Sequence, residues 1–478
     1  VPSSYLSEAG ALQLRLDHPS IKNALAAVAA IQKELADDTI KVLAEDGGLI
    51  SILLPQDMRT EERAMEVYRR IAEVPVAIGS EAKVVVDQAS GTVLAGEGVQ
   101  ISPCVVSVSD LTISVVDEQD VSQPVPFGSG DTVPVNRTRI QVDGDGNEGW
   151  GEAYVWLPET GVSQRELALS IEHHLGAYVL GARPADTQAL AARFDRNVAR
   201  NEIAKGLVDL ACHDLAARQV GRPVHDLIGG AAVDRIPLCG LVPLGSPDTV
   251  AALCAGYQRG GYGTVRIKLG TGPTADRDVI AAVRERCGDD LRVRVDYNQA
   301  YSAAGAIRAL RLLEPFGIDA AEQPLPLGDL LGMVEVQRQT SIPLFLHEGF
   351  FSMSDLVTLI ELGGCRVVGV NLERPGGLTG ALRAIDYGAA RGLRTIIHNQ
   401  SLGLGTAAQL HLAAARFDRL GHAVELAGDV MFDEHLVVDR CVQADGHLLV
   451  PTGPGWGVTV DRDAIERHLV AEPIVVRG

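Results

Sequence analysis

The stretch Arg292–Ser302, RVRVDYNQAYS, decides how the chain reads. Val293 and Val295 alternate with arginines, as in a β-strand. The alternation stops at Asp296, and Asn298 follows. Alone, this is a strand end with turn-forming residues behind it. Its neighbours change the reading. Strand-like runs recur at 236–243, 264–270, 291–298, 319–324, 343–348, 367–373, 394–400 and 422–427. Amphipathic segments lie between most of them. In 377–391, Leu378, Leu382, Ile385 and Ala389 step by four, three and four, which is one helical face. Eight strands with intervening helices predict an α/β fold, a (β/α)8-type (TIM-like) barrel.

In such a barrel the chemistry gathers at the C-terminal ends of the strands. Strand two closes on Lys268 (TVRIKLG), three on Asp296, four on Glu322 (AAEQPLP) and five on Glu348 (LFLHEG). Strand six closes on Asn371 (VVGVNLE) and seven on His398 (TIIHNQ). Asp296 to Glu322 is 26 residues, and Glu322 to Glu348 is again 26. One strand–helix unit per step would carry each acid to the same rim. Three converging carboxylates repel each other strongly, and a hard divalent cation, Mg²⁺, is the expected compensation. No Cys or His shares the register of the three acids, which argues against zinc. Lys268, with Arg266 two residues earlier on the same strand face, is a candidate base. His398 is a second base or an acid. A metal flanked by two bases suits removal of the proton α to a carboxylate, with the metal stabilising the enediolate.

The bulk properties bound the partners. The chain has 478 residues, 46% of them hydrophobic, so several folded domains are expected. Net charge is −20, which argues against nucleic acid as a main partner. No apolar run is long enough to span a membrane. Seven scattered cysteines without a CxxC predict free buried thiols in a reducing compartment. The opening VPSSYLSEAG has neither a basic nor an apolar signal region, so a cytoplasmic protein is the expectation.

The text changes character near residue 140. Before it, helices are predicted at Ile21–Ala36 and Glu61–Glu73. Short β runs follow at Lys83–Val86, Thr92–Leu94, Val99–Ile101, Val105–Val108 and Leu111–Val116. This part carries no nucleophile, metal cluster or phosphate loop. After it, RTRIQVDGDGNEGWGEAYV (137–155) reads as strand, Asp-Gly turn and strand. The predicted divisions are an α+β segment at 1–135, an α+β capping domain at 136–230 to which a tail at 440–478 returns, and the barrel at 231–440.

Two resemblances follow from these residues. KVVVDQASGTVLAGEGVQISP (83–103), LTISVV (111–116), VSQPVPFGSGDTV (121–133) and LQLRLDHPSIKNALAAVAAI (12–31) resemble the flagellar P-ring protein family. VDYNQ, EQP, RPGGLTGALRA (374–384) and the closing GPGWGV resemble the enolase superfamily, and its mandelate racemase group in particular. The second resemblance implies Asp296, Glu322 and Glu348 as Mg²⁺ ligands. It also implies Lys268 and His398 as acid/base groups on two faces, and Glu425 as an acid assisting the enolate oxygen. The implied reaction is racemisation, epimerisation or dehydration of a hydroxy acid or acid sugar, in a homo-oligomer. The first resemblance implies instead a structural ring protein carrying an inactive barrel, or a fusion in which neither half works fully.

Two departures from the enolase pattern stand in the text. Arg266-Ile267-Lys268 replaces Lys-x-Lys on strand two. Asn371 stands where that group pairs its histidine with an aspartate, and Glu373, two residues on, is the candidate substitute. The family's mobile loop would fall within 105–140, where LTISVV, TVPV and RTRIQV could form a three-stranded sheet.

Overall fold

The computed structural model describes residues 11–15, 21–37, 39–45, 49–72, 74, 84–87, 92–95, 112–122, 133–144, 147–155, 160–399, 401–426, 428 and 434–476. The chain divides into two compact units, Val1–Val106 and Ser107–Gly478.

In the first unit three strands, Ala11–Arg15, Lys41–Ala44 and Leu49–Leu53, form an antiparallel sheet with Leu49–Leu53 in the centre. Helices Ile21–Leu35 and Glu61–Ala72 contribute Ala27, Ile31, Val67 and Ile71 to a core shared with Ile50 and Ile52. The two predicted helices are present. Val84–Asp87 and Thr92–Ala95 pair as two antiparallel strands. The predicted runs Val99–Ile101 and Val105–Val108 lie outside the described residues.

The second unit holds a four-stranded antiparallel sheet, ordered Ile474–Val476, Thr112–Ser122, Val133–Gly144, Asn147–Val155. Val133–Val135 and RTRIQV, in separate runs in the sequence reading, lie in one strand, Val133–Gly144. The strand Thr112–Ser122 belongs to this sheet, and the C-terminal strand joins its edge. The helix Glu202–Gln219 lies against the sheet and is buried from Ile203 to Ala217, as a helix covered on all sides must be. Gly149 makes the approach possible: a Cβ there would lie 2.2 Å from the Ala211 carbonyl oxygen.

The barrel follows. Its strands are Cys239–Val242, Thr264–Lys268, Arg292–Asp296, Ile318–Glu322, Leu344–Leu346, Val367–Val370, Arg394–Asn399 and Glu425–Leu426, hydrogen-bonded in that order. All seven ladders between them are parallel. A parallel bridge from Leu238 to Val424 joins strand eight back to strand one and closes the ring. Helices follow the first seven strands, and four of them are capped by Ser246, Ser302, Asp329 and Ser352, whose side chains accept N–H bonds from the first turn. Inside the ring, Ala320, Phe345, Val367 and Ile396 pack together. Gly369 leaves room for Phe345, since a Cβ there would lie 2.2 Å from the ring. Cys212, Cys239, Cys254, Cys287 and Cys365 are free thiols and buried.

Candidate active site

The ladder register brings the functional side chains together. Lys268 is the Cα partner of Asp296, and Asp296 is the partner of Glu322. His398 is the partner of Glu425 across strands seven and eight. Five of the residues singled out in the sequence are thus paired across neighbouring strands, three at strands two to four and two at strands seven and eight.

Arg266 lies at the centre of this group. One of its terminal nitrogens is 3.1 Å from Asp296 Oδ2, 3.3 Å from Glu322 Oε2, 3.1 Å from Glu425 Oε2 and 3.0 Å from His398 Nε2. Lys268 Nζ lies 2.6 Å from Asp296 Oδ2 and donates to Asn298 Oδ1. Arg294, buried in the barrel, reaches Glu425 Oε1 at 3.0 Å. The charge compensation that the sequence reading gave to Mg²⁺ is thus shared among side chains. Burial pushes the Asp296 carboxyl up, but Lys268 and Arg266 outweigh it and hold the group below its ordinary range. Glu322 goes the other way: burial, then the Asp296 charge, raise it well above its ordinary range. Burial, with Arg266 and Arg374 beside it, holds His398 neutral, well below the ordinary histidine value.

Strand five departs from the expected spacing. Glu322 is the Cα partner of Phe345, not of Glu348. Phe345 faces the barrel interior, and His347, two residues on, follows the same side. Its Nδ1 lies 3.0 Å from Glu322 Oε1, and its ring centroid is 3.8 Å from that of His398. Glu348 stands beside it, with Oε1 accepting from Asn298 Nδ2 at 3.1 Å and Oε2 3.8 Å from His347 Nδ1. Arg374 NH2 makes a short contact with His347 Nε2. Burial, then the neighbouring His398 and Arg374, keep His347 well below the ordinary histidine value. His347, Arg294 and Arg374 were not singled out in the sequence. The signal for His347 was available: it shares strand parity with Phe345 in LFLHEG.

At strand six, Asn371 Oδ1 accepts the Arg374 backbone N–H at 3.0 Å. Glu373 Oε1 accepts from Ser401 Oγ at 3.2 Å and from the Tyr154 backbone at 3.4 Å. The carboxylate that meets His398 comes from strand eight, where Glu425 Oε2 lies 3.3 Å from Nε2. Behind this loop, Glu152 of the capping sheet pairs with Arg139 at 2.6 Å and accepts the Leu402 N–H at 2.7 Å.

The donor chemistry fits a divalent cation. Glu322, His347 and His398, all buried, each offer one ligand atom, and these lie within 4.8 Å of one another. Carboxylate and imidazole both ligate divalent metals. No Cys or His shares the sequence spacing of the three acids, and His398 is expected to flank them; strand parity adds His347 beside Glu322.

Three family profiles match the chain. The mandelate racemase/muconate lactonizing enzyme N-terminal domain matches residues 110–229, and the enolase C-terminal domain-like family matches 249–464. The flagellar P-ring protein family matches 1–163, overlapping the first of these. An N-succinylamino acid racemase of Amycolatopsis sp. is 34% identical over 322 residues, covering 65% of this chain and 84% of that protein. An N-succinyl-L-Arg/Lys racemase of Bacillus cereus is 26% identical over 358 residues, covering 73% and 94%. A solved structure of an enolase superfamily member from Roseovarius nubinhibens, complexed with magnesium, has a TM-score of 0.70 at 27% identity and covers 78% of this chain and 100% of that one. Other relatives are epimerases and cycloisomerases. The two profiles run over the cap and the barrel, and the chain belongs to the enolase superfamily, in its mandelate racemase/muconate lactonizing enzyme group.

Proposed function

We propose that the chain removes and returns the proton α to the carboxylate of a small acid, giving racemisation or epimerisation, or dehydration where a β-hydroxyl can leave. The observation that carries this reading is the shared register of Lys268, Asp296 and Glu322 at the barrel rim. Lys268, with 30% of its side chain exposed, can reach a bound substrate while Asp296 orients its ammonium group. His398 approaches from strand seven, on another side of the ring, and its neutral imidazole can take or give a proton. Arg266 holds that ring by donating to Nε2. Asp296, Glu322 and Glu348, with His347 beside them, are the residues available to hold the cation, Mg²⁺ in the family's pattern. When bound, a divalent cation supplies positive charge beside the substrate carboxylate and makes the α C–H more acidic. Small 2-hydroxy acids and acid sugars are one substrate class. N-acylated amino acids, as in the names of the racemase relatives, are the other.

The test is solvent exchange. The protein is incubated in D₂O with a divalent cation and a pooled library of both substrate classes, and α-deuterium and loss of water are read by mass spectrometry. Deuterium incorporation abolished by EDTA and by Lys268→Ala supports the reading. Exchange that survives Lys268→Ala removes Lys268 from the chemistry. A second reading rests on the P-ring match to residues 1–163: a ring-forming structural protein whose barrel is a passenger. It requires higher-order assembly and indifference to Glu322→Gln.

A further inference from the structure

We propose that the cation of this centre is bound through nitrogen as well as oxygen: His347 of strand five supplies an imidazole donor beside the Glu322 carboxylate, so that Mn²⁺, Co²⁺ or Zn²⁺ is preferred to Mg²⁺. The proposal rests on the cation-assisted reading above and concerns which ion that reading involves.

The geometry is that of two donors sharing one ion. Ligand atoms held at about 2.0–2.2 Å from one cation lie about 3 Å apart. His347 Nδ1 and Glu322 Oε1 are 3.0 Å apart. The same carboxylate oxygen lies 3.8 Å from His398 Nε2, and all three donors fall within the 4.8 Å cluster. Of the strand-five acid, Glu348, Oε1 accepts from Asn298 while Oε2 lies 3.8 Å from His347 Nδ1, on the side of the cluster. Arg266 and Glu425 crowd the same His398 Nε2 that faces Glu322, and Arg266 donates to it, so the nitrogen open to an ion beside Glu322 is that of His347.

Ion preference follows from donor type. Mg²⁺ binds oxygen ligands in near-octahedral geometry and gives up its waters reluctantly. Imidazole favours the later divalent metals, in the rising order from Mn²⁺ through Co²⁺. Arg374 opposes any ion here. Its guanidinium donates to His347 Nε2, so the imidazole proton sits on Nδ1 and faces Glu322. To bind at Nδ1, an ion would have to displace the proton there, which the ring would then carry on Nε2, and the Arg374 donor would have to turn away. The Phe351 ring, 5.5 Å from the Arg374 guanidinium carbon, is there to receive it. Arg374 is thus a competitor for the site.

The experiment uses the full chain, stripped of metal and dialysed against equal concentrations of Mg²⁺, Mn²⁺, Co²⁺ and Zn²⁺, with bound metal read by mass spectrometry. The Mn²⁺-loaded protein is then examined by pulsed electron paramagnetic resonance for ¹⁴N coupling. The proposal expects at least a tenfold preference for the later metals over Mg²⁺. It expects ¹⁴N coupling in the wild type and in His398→Asn, loss of that coupling in His347→Asp with a shift of preference towards Mg²⁺, and tighter Mn²⁺ binding in Arg374→Met. Bound Mn²⁺ without ¹⁴N coupling, coupling that persists in His347→Asp, a preference for Mg²⁺, or no metal uptake would each overturn it. If His347→Asp does not fold, loss of the tightening expected in Arg374→Met decides against it. The two readings fail separately. Substrate exchange with an oxygen-only centre sinks this proposal and leaves the proposed function; a nitrogen-bound ion with no exchange on any substrate does the reverse.

Discussion

Arg266 is the residue on which the site turns. One guanidinium nitrogen serves three carboxylates and an imidazole, all of them buried in the barrel. Removing one member of a buried charge network leaves the others uncompensated. Arg266→Met is therefore expected to cost about 3–5 kcal/mol, read from urea unfolding. A loss below about 1 kcal/mol would mean that Lys268 and Arg294 compensate the acids unaided. Lys268 is a different case. Its side chain is partly exposed and Asp296 keeps Arg266 as a partner. Lys268→Ala should leave the unfolding midpoint nearly unchanged while lowering α-proton exchange by roughly 10²–10⁴-fold. Loss of folding in parallel with activity would make Lys268 structural.

At the scale of the element, strand packing and helix burial set what a substitution can do. Gly369 on strand six faces Phe345 of strand five, and the core there is closed. Gly369→Ala should destabilise by about 1–3 kcal/mol through overpacking, measured by thermal unfolding; an unchanged midpoint would mean that Phe345 can turn aside. The helix Gly403–Ala415 carries His411, fully buried, stacked on His225 at 4.9 Å. Its Nδ1 accepts the His225 backbone N–H at 3.1 Å, and Nε2–H donates to the Trp456 carbonyl at 3.0 Å. Both nitrogens are used by the neutral ring, and burial pulls the group down to about 4. Because the folded value lies below the unfolded one, near 6.5, the unfolded chain binds the proton first as pH falls. Stability is then lost between about pH 6.5 and 4, by an amount on the order of 3 kcal/mol. His411→Gln should flatten the dependence of the melting temperature on pH across that window. An equal slope in the variant would assign the loss to other groups.

For the whole molecule, the two units have separate cores. A chain beginning at Ser107 should fold with the cation binding and exchange activity of the full protein, and its failure to fold would tie the P-ring-like segment to the enzyme. Within the second unit, Asp214 joins distant parts of the chain. It accepts from the backbone of Trp150 in the capping sheet at 2.9 Å and from that of Trp456 in the closing loop at 2.8 Å. Trp456 Nε1 donates in turn to the Trp150 carbonyl at 2.8 Å. Burial raises the Asp214 carboxyl to about 6, against the pull of Arg218 and these N–H donors. The GPGWGV stretch, legible in the sequence only as a resemblance, is thus the clasp between the tail and the cap.

What the sequence alone determined was the beat of strands and helices and the acids and bases at the strand ends. Both are periodic properties of the chain, set by residue size and polarity. Two things were decided by tertiary structure. The first is which face of each strand looks inward. In RVRVD the valines face the helices, while Arg294 and Asp296 point into the ring, an arrangement that opposing charges across the barrel make possible. The second is register. Equal spacings of 26 residues suggested three acids in step, yet the ladder pairs Glu322 with Phe345 and so brings His347 to the rim. Helix and loop lengths absorb the difference, and only backbone hydrogen bonds between strands record it. The partner of His398 was hidden for the same reason, because closure of the ring sets strand eight, with Glu425, beside strand seven.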